Sequence, residues 1–228
     1  MAYEKVKVKI CGITNAEDAL RAGSYGADLA GFIFIKNTPR YIGDKKDIIL
    51  NLPESLKKTM LKVGLFQDED AKKVAESVIY CGLDYVQLQG GESPEYCAFL
   101  KNILQQAKYP CLIKIIKAFK IKDRIFSVSG IYDVLSYRDI VDYFVFDTFH
   151  PVLAGGTGVT FNADILIKEK ESIKKPFFIA GGLTPDNAAE IIKRFNPYGV
   201  DVSSGVEKIL GKKDESLLKE FIANAKNA

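Results

Sequence analysis

Short apolar runs alternate with amphipathic segments along the whole chain. The runs are short and rich in β-branched and aromatic residues, a composition typical of buried strands. The segments between them have the length and periodicity of helices, which indicates parallel βαβ units. The eight runs are Val6–Ile10, Leu29–Ile35, Leu61–Phe66, Tyr85–Leu88, Cys111–Ile116, Tyr143–Phe146, Phe177–Ala180 and Val200–Val202.

Eight such units favour a closed (β/α)8 barrel of the α/β class over an open doubly wound sheet. A GxGxxG motif does not follow the first run, which weakens the dinucleotide-binding alternative. We find no linker or low-complexity tract, and so expect residues 1–228 to form a single barrel domain.

Helix starts can be placed from cap residues. Residues 14–17 (TNAE) read as a capping box for the first helix, opened by Thr14. Ser93 and Thr184 each precede a proline, the arrangement of an N-cap followed by the first helical residue. The segment between residues 121 and 140 is the least clear helix, because the sequence SVSG at residues 127–130 interrupts its periodicity.

Composition narrows the function classes. The formal net charge is only +3, which argues against a nucleic-acid partner. We interpret Lys45–Lys46 and Lys212–Lys213 as solvated helix ends or loops rather than a binding patch. The four cysteines form no CxxC pair and there is one histidine, so we expect no metal site. We expect no secretion signal or membrane span, and therefore reduced thiols in the cytoplasm.

Glycine-bearing segments near the C-terminal end indicate a phosphate site. They lie at residues 155–158 (GGTG), 180–182 (AGG) and 203–205 (SSG), and the last two directly follow apolar runs. Glycine lets backbone N–H groups approach a ligand closely, and a phosphate rewards several converging donors. Loops after strands 7 and 8 form the usual phosphate cup of such a barrel. We therefore expect a phosphorylated small-molecule ligand.

The strand ends carry a more specific signal. KICGIT at residues 9–14, QLQGGE at residues 87–92 and GVDVSSGVE at residues 199–207 occur in that order. Together they resemble the phosphoribosylanthranilate isomerase family of tryptophan biosynthesis, and the similarity covers essentially the full chain. The resemblance implies an Amadori rearrangement that opens a furanose, forms an imine and moves a proton from C2 of the sugar. It implies neither a cofactor nor a metal.

The resemblance also implies site residues. Cys11 corresponds to the family's general base, provided that its pKa drops from about 8.5. Asp147 corresponds to the general acid, which should keep its proton in an apolar surround; a loop-capping aspartate is the alternative reading. Arg40 corresponds to the arginine near the anthranilate carboxylate, with an exposed loop arginine as the alternative.

Asp201 resembles the family's substrate-orienting aspartate, and a structural ion pair inside the barrel is the competing account. The phosphate would be held by residues of the three glycine-bearing segments; ordinary tight turns are the alternative. These residues are Gly156, Thr157, Gly181, Gly182, Ser203, Ser204 and Gly205.

One position departs from the family pattern. Gln89 stands where the family commonly has a histidine, so this group can hydrogen-bond to the substrate but cannot titrate at mild pH. The change affects the expected substrate affinity and pH profile. The sole histidine, His150, follows Asp147 closely and is read as a surface loop residue, with approach to the site as the alternative.

Two rival functions stay open. A histidine-pathway aminoaldose isomerase, or an enzyme that uses both substrates, would be a related barrel, but such proteins typically place an aspartate where Cys11 stands. A phosphate-ligand binding protein that has lost catalysis is the rival from another class, for which Gln89 is the only hint. The sequence leaves monomer and homodimer equally open.

Overall fold

Eight parallel strands close into a barrel in the computed structural model, which describes residues 5–107, 112–121, 125–127, 133–147, 166 and 173–228. Each strand pairs with the next one along the chain, and pairing of the first with the last completes the ring. The barrel strands are β1 (Lys7–Cys11), β2 (Leu29–Ile33), β3 (Leu61–Phe66), β4 (Tyr85–Leu88), β5 (Lys114–Ile121), β7 (Tyr143–Asp147), β8 (Phe177–Ala180) and β9 (Gly199–Val202). The predicted (β/α)8 barrel is confirmed.

Helices lie between the barrel strands, and two short antiparallel strand pairings lie at the C-terminal ends of barrel strands. The strand β6 (Ile125–Ser127) pairs antiparallel with the end of β5, and β10 (Glu207–Ile209) forms a hairpin with β11 (Lys212–Lys213). The helices are α1 (Ala16–Ser24), α2 (Asp47–Leu50), α3 (Glu54–Thr59), α4 (Ala71–Cys81), α5 (Pro94–Gln106), α6 (Pro185–Phe195) and α7 (Glu215–Lys226), with 3-10 turns at Val134–Tyr137 and Ser204–Val206. In the described part of the chain, no helix has the combined length and apolar character that crossing a membrane requires.

The helix starts confirm two of the three cap predictions. Ser93 caps α5 and Thr184 caps α6, each before a proline in the first turn. The prediction for α1 was wrong by one residue, because Asn15 is the N-cap and its side chain accepts from the backbone N–H of Asp18. The Thr14 hydroxyl donates instead to the carbonyl of Gly211, so a distant contact outweighs the local capping pattern.

The region between residues 121 and 140 differs from the helix that the sequence analysis placed there. Its described residues contain the β5–β6 pairing and the turn at Val134–Tyr137 instead of a regular helix. The fifth strand also extends beyond the predicted run, as far as Ile121. Lys117 interrupts the apolar pattern there, yet its side chain is fully buried and its ammonium pairs with Glu92 at 3.0 Å. A tertiary ion pair therefore allows a charged residue inside the strand.

Side chains on the barrel strands divide into two apolar clusters. The larger one joins the outer faces of the strands to the surrounding helices. The smaller one fills the barrel interior, because alternate strand residues point inward. The inner cluster consists of Cys11, Leu29, Val63, Leu65, Tyr85, Ile116, Ala118, Val145 and Phe178. Cys11 is thus an inward-facing residue at the C-terminal end of β1, and the position of the site follows from this alternation.

Candidate active site

A cavity of about 280 Å³ opens at the C-terminal ends of the barrel strands. Active sites of this fold lie at that end, where the loops after the strands converge. Apart from Arg40, every predicted site residue that the structure describes lines this cavity. Those residues are Cys11, Gln89, Asp147, Gly181, Gly182, Asp201, Ser203, Ser204 and Gly205.

Cys11 ends β1 and is almost fully buried. Burial raises the pKa of its thiol above the ordinary value, and the nearby Lys9 ammonium offsets this only in part. The role of general base requires the pKa of the Cys11 thiol to fall below its ordinary value, and in this structure the pKa is raised instead. A thiol loses solvation of its anion when it is enclosed by apolar side chains, so the neutral form is favoured. The resting group is the protonated thiol.

Lys9 and Asp201 form an ion pair inside the barrel, below the thiol. The Nζ of Lys9 lies 2.7 Å from Oδ2 of Asp201, and both side chains are buried. Burial opposes the charged ammonium, but Asp201 and Cys11 outweigh it and raise the pKa of Lys9. The other oxygen of Asp201 has no hydrogen-bond partner among the described residues. Asp201 therefore lines the cavity and combines the structural pair with a second, enclosed oxygen that is able to accept a further hydrogen bond.

Asp147 is the last residue of β7, and its half-buried side chain lines the same cavity as Cys11. The surrounding cavity wall includes Ile33 and Val145, which are apolar. The predicted apolar surround is therefore present on part of the wall. A carboxyl group in that position can give a proton to a ligand held in the cavity.

Gln89 follows β4, and its backbone N–H donates to the carbonyl of Phe66 at 2.9 Å. Its half-buried side chain reaches the cavity in the position where the family pattern has histidine. Gln87 lies two residues earlier on the inner face and is fully buried. Neither the oxygen nor the nitrogen of its amide has a hydrogen-bond partner within the described ranges.

The loops after β8 and β9 come into direct contact at one side of the cavity. Gly181 and Gly182 adopt φ values of 87° and 65°, in the left-handed region that favours glycine. A Cβ at Gly205 would lie 1.8 Å from the carbonyl oxygen of Leu183, so only glycine permits this approach. The 3-10 turn Ser204–Val206, which follows Ser203, begins here. The two glycine-bearing loops thus form one wall of the cavity.

Arg40 lies beside the cavity and does not line it. Its side chain runs past Gly12, and its guanidinium donates to both oxygens of Glu207, at 2.7 Å from Nε and 2.6 Å from Nη2. Burial acts to raise the pKa of Glu207, but Arg40 and Lys213 outweigh it and hold the pKa below its ordinary value. A guanidinium has five N–H donors, and among the described residues none accepts from Nη1 of Arg40, so that group is left for another ligand.

Lys213 corrects the interpretation of the 212–213 pair as solvated. Lys212 is exposed, but the side chain of Lys213 is buried. Its ammonium donates to the carbonyls of Cys11 and Ser203, at 2.6 Å and 3.0 Å, and pairs with Glu207 at 3.1 Å. A lysine can be buried when oxygen acceptors replace its water shell, and only the folded chain brings these acceptors together.

Lys9, Glu207 and Lys213 are therefore site residues to which the sequence reading assigned no role. Lys9 and Glu207 occur inside the quoted motifs KICGIT and GVDVSSGVE, and for Lys9 a charged residue within an apolar strand was the available signal. Gly156, Thr157 and His150 lie outside the described residues. Among the described residues, no group of three His, Cys, Asp or Glu side chains is arranged to hold a metal ion.

The comparisons with known proteins agree with this geometry. A family model described as N-(5'phosphoribosyl)anthranilate (PRA) isomerase matches residues 8–224. The chain belongs to the phosphoribosylanthranilate isomerase family. A relative named N-(5'-phosphoribosyl)anthranilate isomerase in Pelobacter propionicus is 42% identical, over 97% of this chain and 96% of the relative. One of the same name in Geobacter metallireducens is 41% identical, over 97% of this chain and 99% of that protein.

Solved structures of the family match most of the chain. Phosphoribosyl anthranilate isomerase from Thermotoga maritima has a TM-score of 0.78 at 35% identity, covering 98% of this chain and all (100%) of that one. A second isomerase structure, in complex with reduced 1-(o-carboxyphenylamino)-1-deoxyribulose 5-phosphate, has a TM-score of 0.76 at 34% identity, with coverage of 98% and 100%. That family member binds a phosphorylated ligand that carries a carboxyphenyl group.

Proposed function

We propose that this isomerase converts N-(5-phosphoribosyl)anthranilate to 1-(2-carboxyphenylamino)-1-deoxyribulose 5-phosphate in tryptophan biosynthesis, with Cys11 as base and Asp147 as acid. The observation that carries the assignment is that both side chains line one cavity beside the glycine-bearing loops. Family membership supports the reaction. The cavity supplies a thiol, a carboxyl group and a place for an anion, which are the groups that this rearrangement requires.

The reaction starts at the ring oxygen of the sugar. Asp147 gives a proton to that oxygen, the bond between C1 and the ring oxygen breaks, and the nitrogen lone pair forms the C1 iminium. Cys11, as the thiolate, then takes the proton from C2, and the electron pair of that C–H bond moves toward nitrogen to give the enolamine. Proton transfer from the C2 hydroxyl to C1 completes the aminoketone. Electrons are only redistributed, so the net reaction is an isomerisation.

Binding groups at the rim would orient the substrate. Arg40 binds the anthranilate carboxylate through the guanidinium edge that Glu207 leaves free. Oδ1 of Asp201 accepts from a sugar hydroxyl or the substrate nitrogen, and Gln89 adds a neutral hydrogen-bonding group. Serine hydroxyls and backbone N–H groups would bind the phosphate without a charged side chain. The proposed phosphate residues are Gly181, Gly182, Ser203, Ser204 and Gly205, completed by Gly156 and Thr157.

An anthranilate-fluorescence turnover assay tests the proposal. We expect Cys11→Ala and Asp147→Asn each to reduce turnover by at least ~100-fold, the usual contribution of acid–base assistance. Circular dichroism and retained binding of a reduced product analogue would show that each variant is folded with an intact cavity. Near-native turnover in either folded variant would exclude the assigned role.

The same assay separates the rival functions. A histidine-pathway aminoaldose should not be converted, because Cys11 occupies the strand-1 position where such enzymes carry an aspartate. Conversion of both substrates would indicate a dual-substrate enzyme. Binding of the product analogue without any turnover in the wild type would indicate a binding protein.

Cellular location and assembly are part of the same proposal. Cys11, Cys81 and Cys97 are unpaired and buried, which is consistent with the cytoplasmic location that we propose. A dimeric member is known from Thermotoga maritima, and we propose either a monomer or a homodimer here, without a nucleic-acid partner. Sedimentation of the purified protein would distinguish the two assemblies.

A further inference from the structure

The protonated state of Cys11 raises the question of what stabilises its thiolate. A base must hold a negative charge before it accepts the substrate proton, and burial works against that charge. We infer that Lys9 is a positioning residue that stabilises the Cys11 thiolate, with Asp201 acting in the opposite direction. This inference rests on the proposed role of Cys11 as base and extends it to a set of three buried, interacting charges.

Geometry brings the ammonium and the sulfur together. Lys9 and Cys11 are alternate residues of β1, so their side chains enter the barrel on the same face. A Cβ placed on Gly31 of the neighbouring strand would lie 2.9 Å from Sγ of Cys11 and 3.2 Å from Nζ of Lys9. The two atoms therefore converge on the space that the glycine leaves open. Burial opposes both charges, and the electrostatic attraction between the ammonium and the thiolate acts to raise the pKa of Lys9 and to lower that of Cys11.

Asp201 fixes the ammonium in this place. Its Oδ2 lies 2.7 Å from Nζ of Lys9, and the lysine side chain is fully buried. The carboxylate also acts directly on the thiol, since a second negative charge nearby disfavours the thiolate. One side chain thus stabilises the thiolate and the other destabilises it, although the two form a single ion pair.

Other charged groups surround the sulfur. Lys213 acts on it from β11 and lowers its pKa less than Lys9 does. Arg40 is electrostatically coupled to it from the loop after β2. Within the part of the chain that the structure describes, the charged or titratable groups around Cys11 are Lys9, Arg40, Asp147, Asp201 and Lys213. Lys9 is the cation that is fully buried on the same strand as the thiol and converges with it at Gly31, which is why we assign it the dominant effect.

The proton balance is simple. When the proton leaves Sγ for solvent, the Lys9 ammonium and the Asp201 carboxylate keep their charges, and the new thiolate shares the ammonium with Asp201. When the thiolate takes the proton from C2 of the substrate, the thiol returns and the net charge of the three groups goes from −1 back to zero. No bond to either supporting residue forms or breaks, so Lys9 acts through Cys11 and not on the substrate.

Titration of Cys11 tests the inference without requiring turnover. The pH dependence of iodoacetamide alkylation would be measured by mass spectrometry on the Cys11 peptide, in wild type, Lys9→Met and Asp201→Asn. We expect the midpoint to move to higher pH in Lys9→Met, and the alkylation rate at lower pH to fall about tenfold for every pH unit by which the midpoint rises. We expect the midpoint to move to lower pH in Asp201→Asn. Each variant removes one half of the same ion pair. Loosened packing alone would not shift the alkylation midpoint in opposite directions in the two variants.

Lys7→Met is the matched control. Lys7 lies on the same strand and pairs with Asp28 at 2.9 Å, but at the other end of the barrel. An unchanged midpoint in this variant and a raised one in Lys9→Met would support the inference. Equal midpoints in Lys9→Met and wild type would overturn it, as would equal shifts in the two lysine variants.

A folding failure would not leave the question open. If Lys9→Met does not fold, the double variant Lys9→Met/Asp201→Asn removes both buried charges and can be compared with Asp201→Asn alone. A higher midpoint in the double variant supports the role of Lys9, and an equal midpoint refutes it. Failure of the proposed function looks different: Cys11→Ala would then keep its turnover, whatever the titration shows.

Discussion

The two ends of the barrel interior are built from different chemistry. The end where the strands begin is filled by aromatic rings: Tyr143 lies 5.8 Å from Tyr85 and 5.1 Å from Tyr198, between ring centroids, and Phe178 packs edge-on against Tyr198 at 5.4 Å. The end where the strands finish contains the thiol, the buried ion pair and polar atoms that have no partner among the described residues. The same strands therefore provide a packed cluster of aromatic rings at one end and a polar cavity at the other.

The difference shows how stability and chemistry are separated along the strands. Aromatic burial at the first end stabilises the barrel through apolar area and ring contacts. Buried polar atoms at the other end lose solvation, and an unsatisfied one costs about 1–3 kcal/mol. We therefore expect substitutions at the aromatic end to change stability most, and substitutions at the polar end to change binding and reactivity most.

The largest expected effect comes from Phe178→Ala at the aromatic end. The side chain is fully buried among rings, and its loss should destabilise the fold by about 3–5 kcal/mol, through lost burial and an internal void. Urea unfolding followed by circular dichroism would measure the change, with Phe178→Leu as the milder control. A small loss of stability together with altered Cys11 alkylation in folded Phe178→Ala would contradict the separation of stability and chemistry between the two ends of the barrel.

An intermediate effect is expected for Glu207→Gln at the polar end. The neutral amide cannot hold Arg40 by two charge-assisted bonds, so KM should rise on the order of tenfold while kcat changes less. Steady-state kinetics would measure both constants. The added effect of Glu207→Gln should largely disappear in an Arg40→Ala background if Glu207 acts through Arg40. A lower KM in the single variant would instead mean that Glu207 competes with substrate for the guanidinium.

The smallest expected effect has the opposite sign. Gln87→Met replaces a buried amide, unpartnered within the described ranges, by an apolar side chain of similar shape. Stability should rise by roughly 1 kcal/mol, because a desolvated polar group is removed. The urea midpoint would report the change, with Gln89→Met at the open cavity as the control. A lower midpoint for Gln87→Met would show that the amide is satisfied inside the barrel.

Local patterns in the sequence predicted a large part of this molecule. Alternation of apolar runs and helical segments predicted the eight-stranded barrel, and the proline-linked caps at Ser93 and Thr184 marked two helix starts. The ordered motifs predicted that Cys11, Asp147 and Asp201 meet at one cavity. Strand periodicity and caps were readable because they are properties of neighbouring residues, and the motif order was readable because it resembles a known family.

The sequence by itself determined the barrel, its catalytic end and the residue types there. Only the tertiary structure decided three contacts at that end. Lys9 pairs with Asp201 near the Cys11 thiol, Lys213 is buried among carbonyls, and Arg40 pairs with Glu207. The first and last of these pairs join residues that are 192 and 167 positions apart in the chain. Charge state and burial depend on what the folded chain brings within a few ångströms, and that proximity is not encoded in any local pattern.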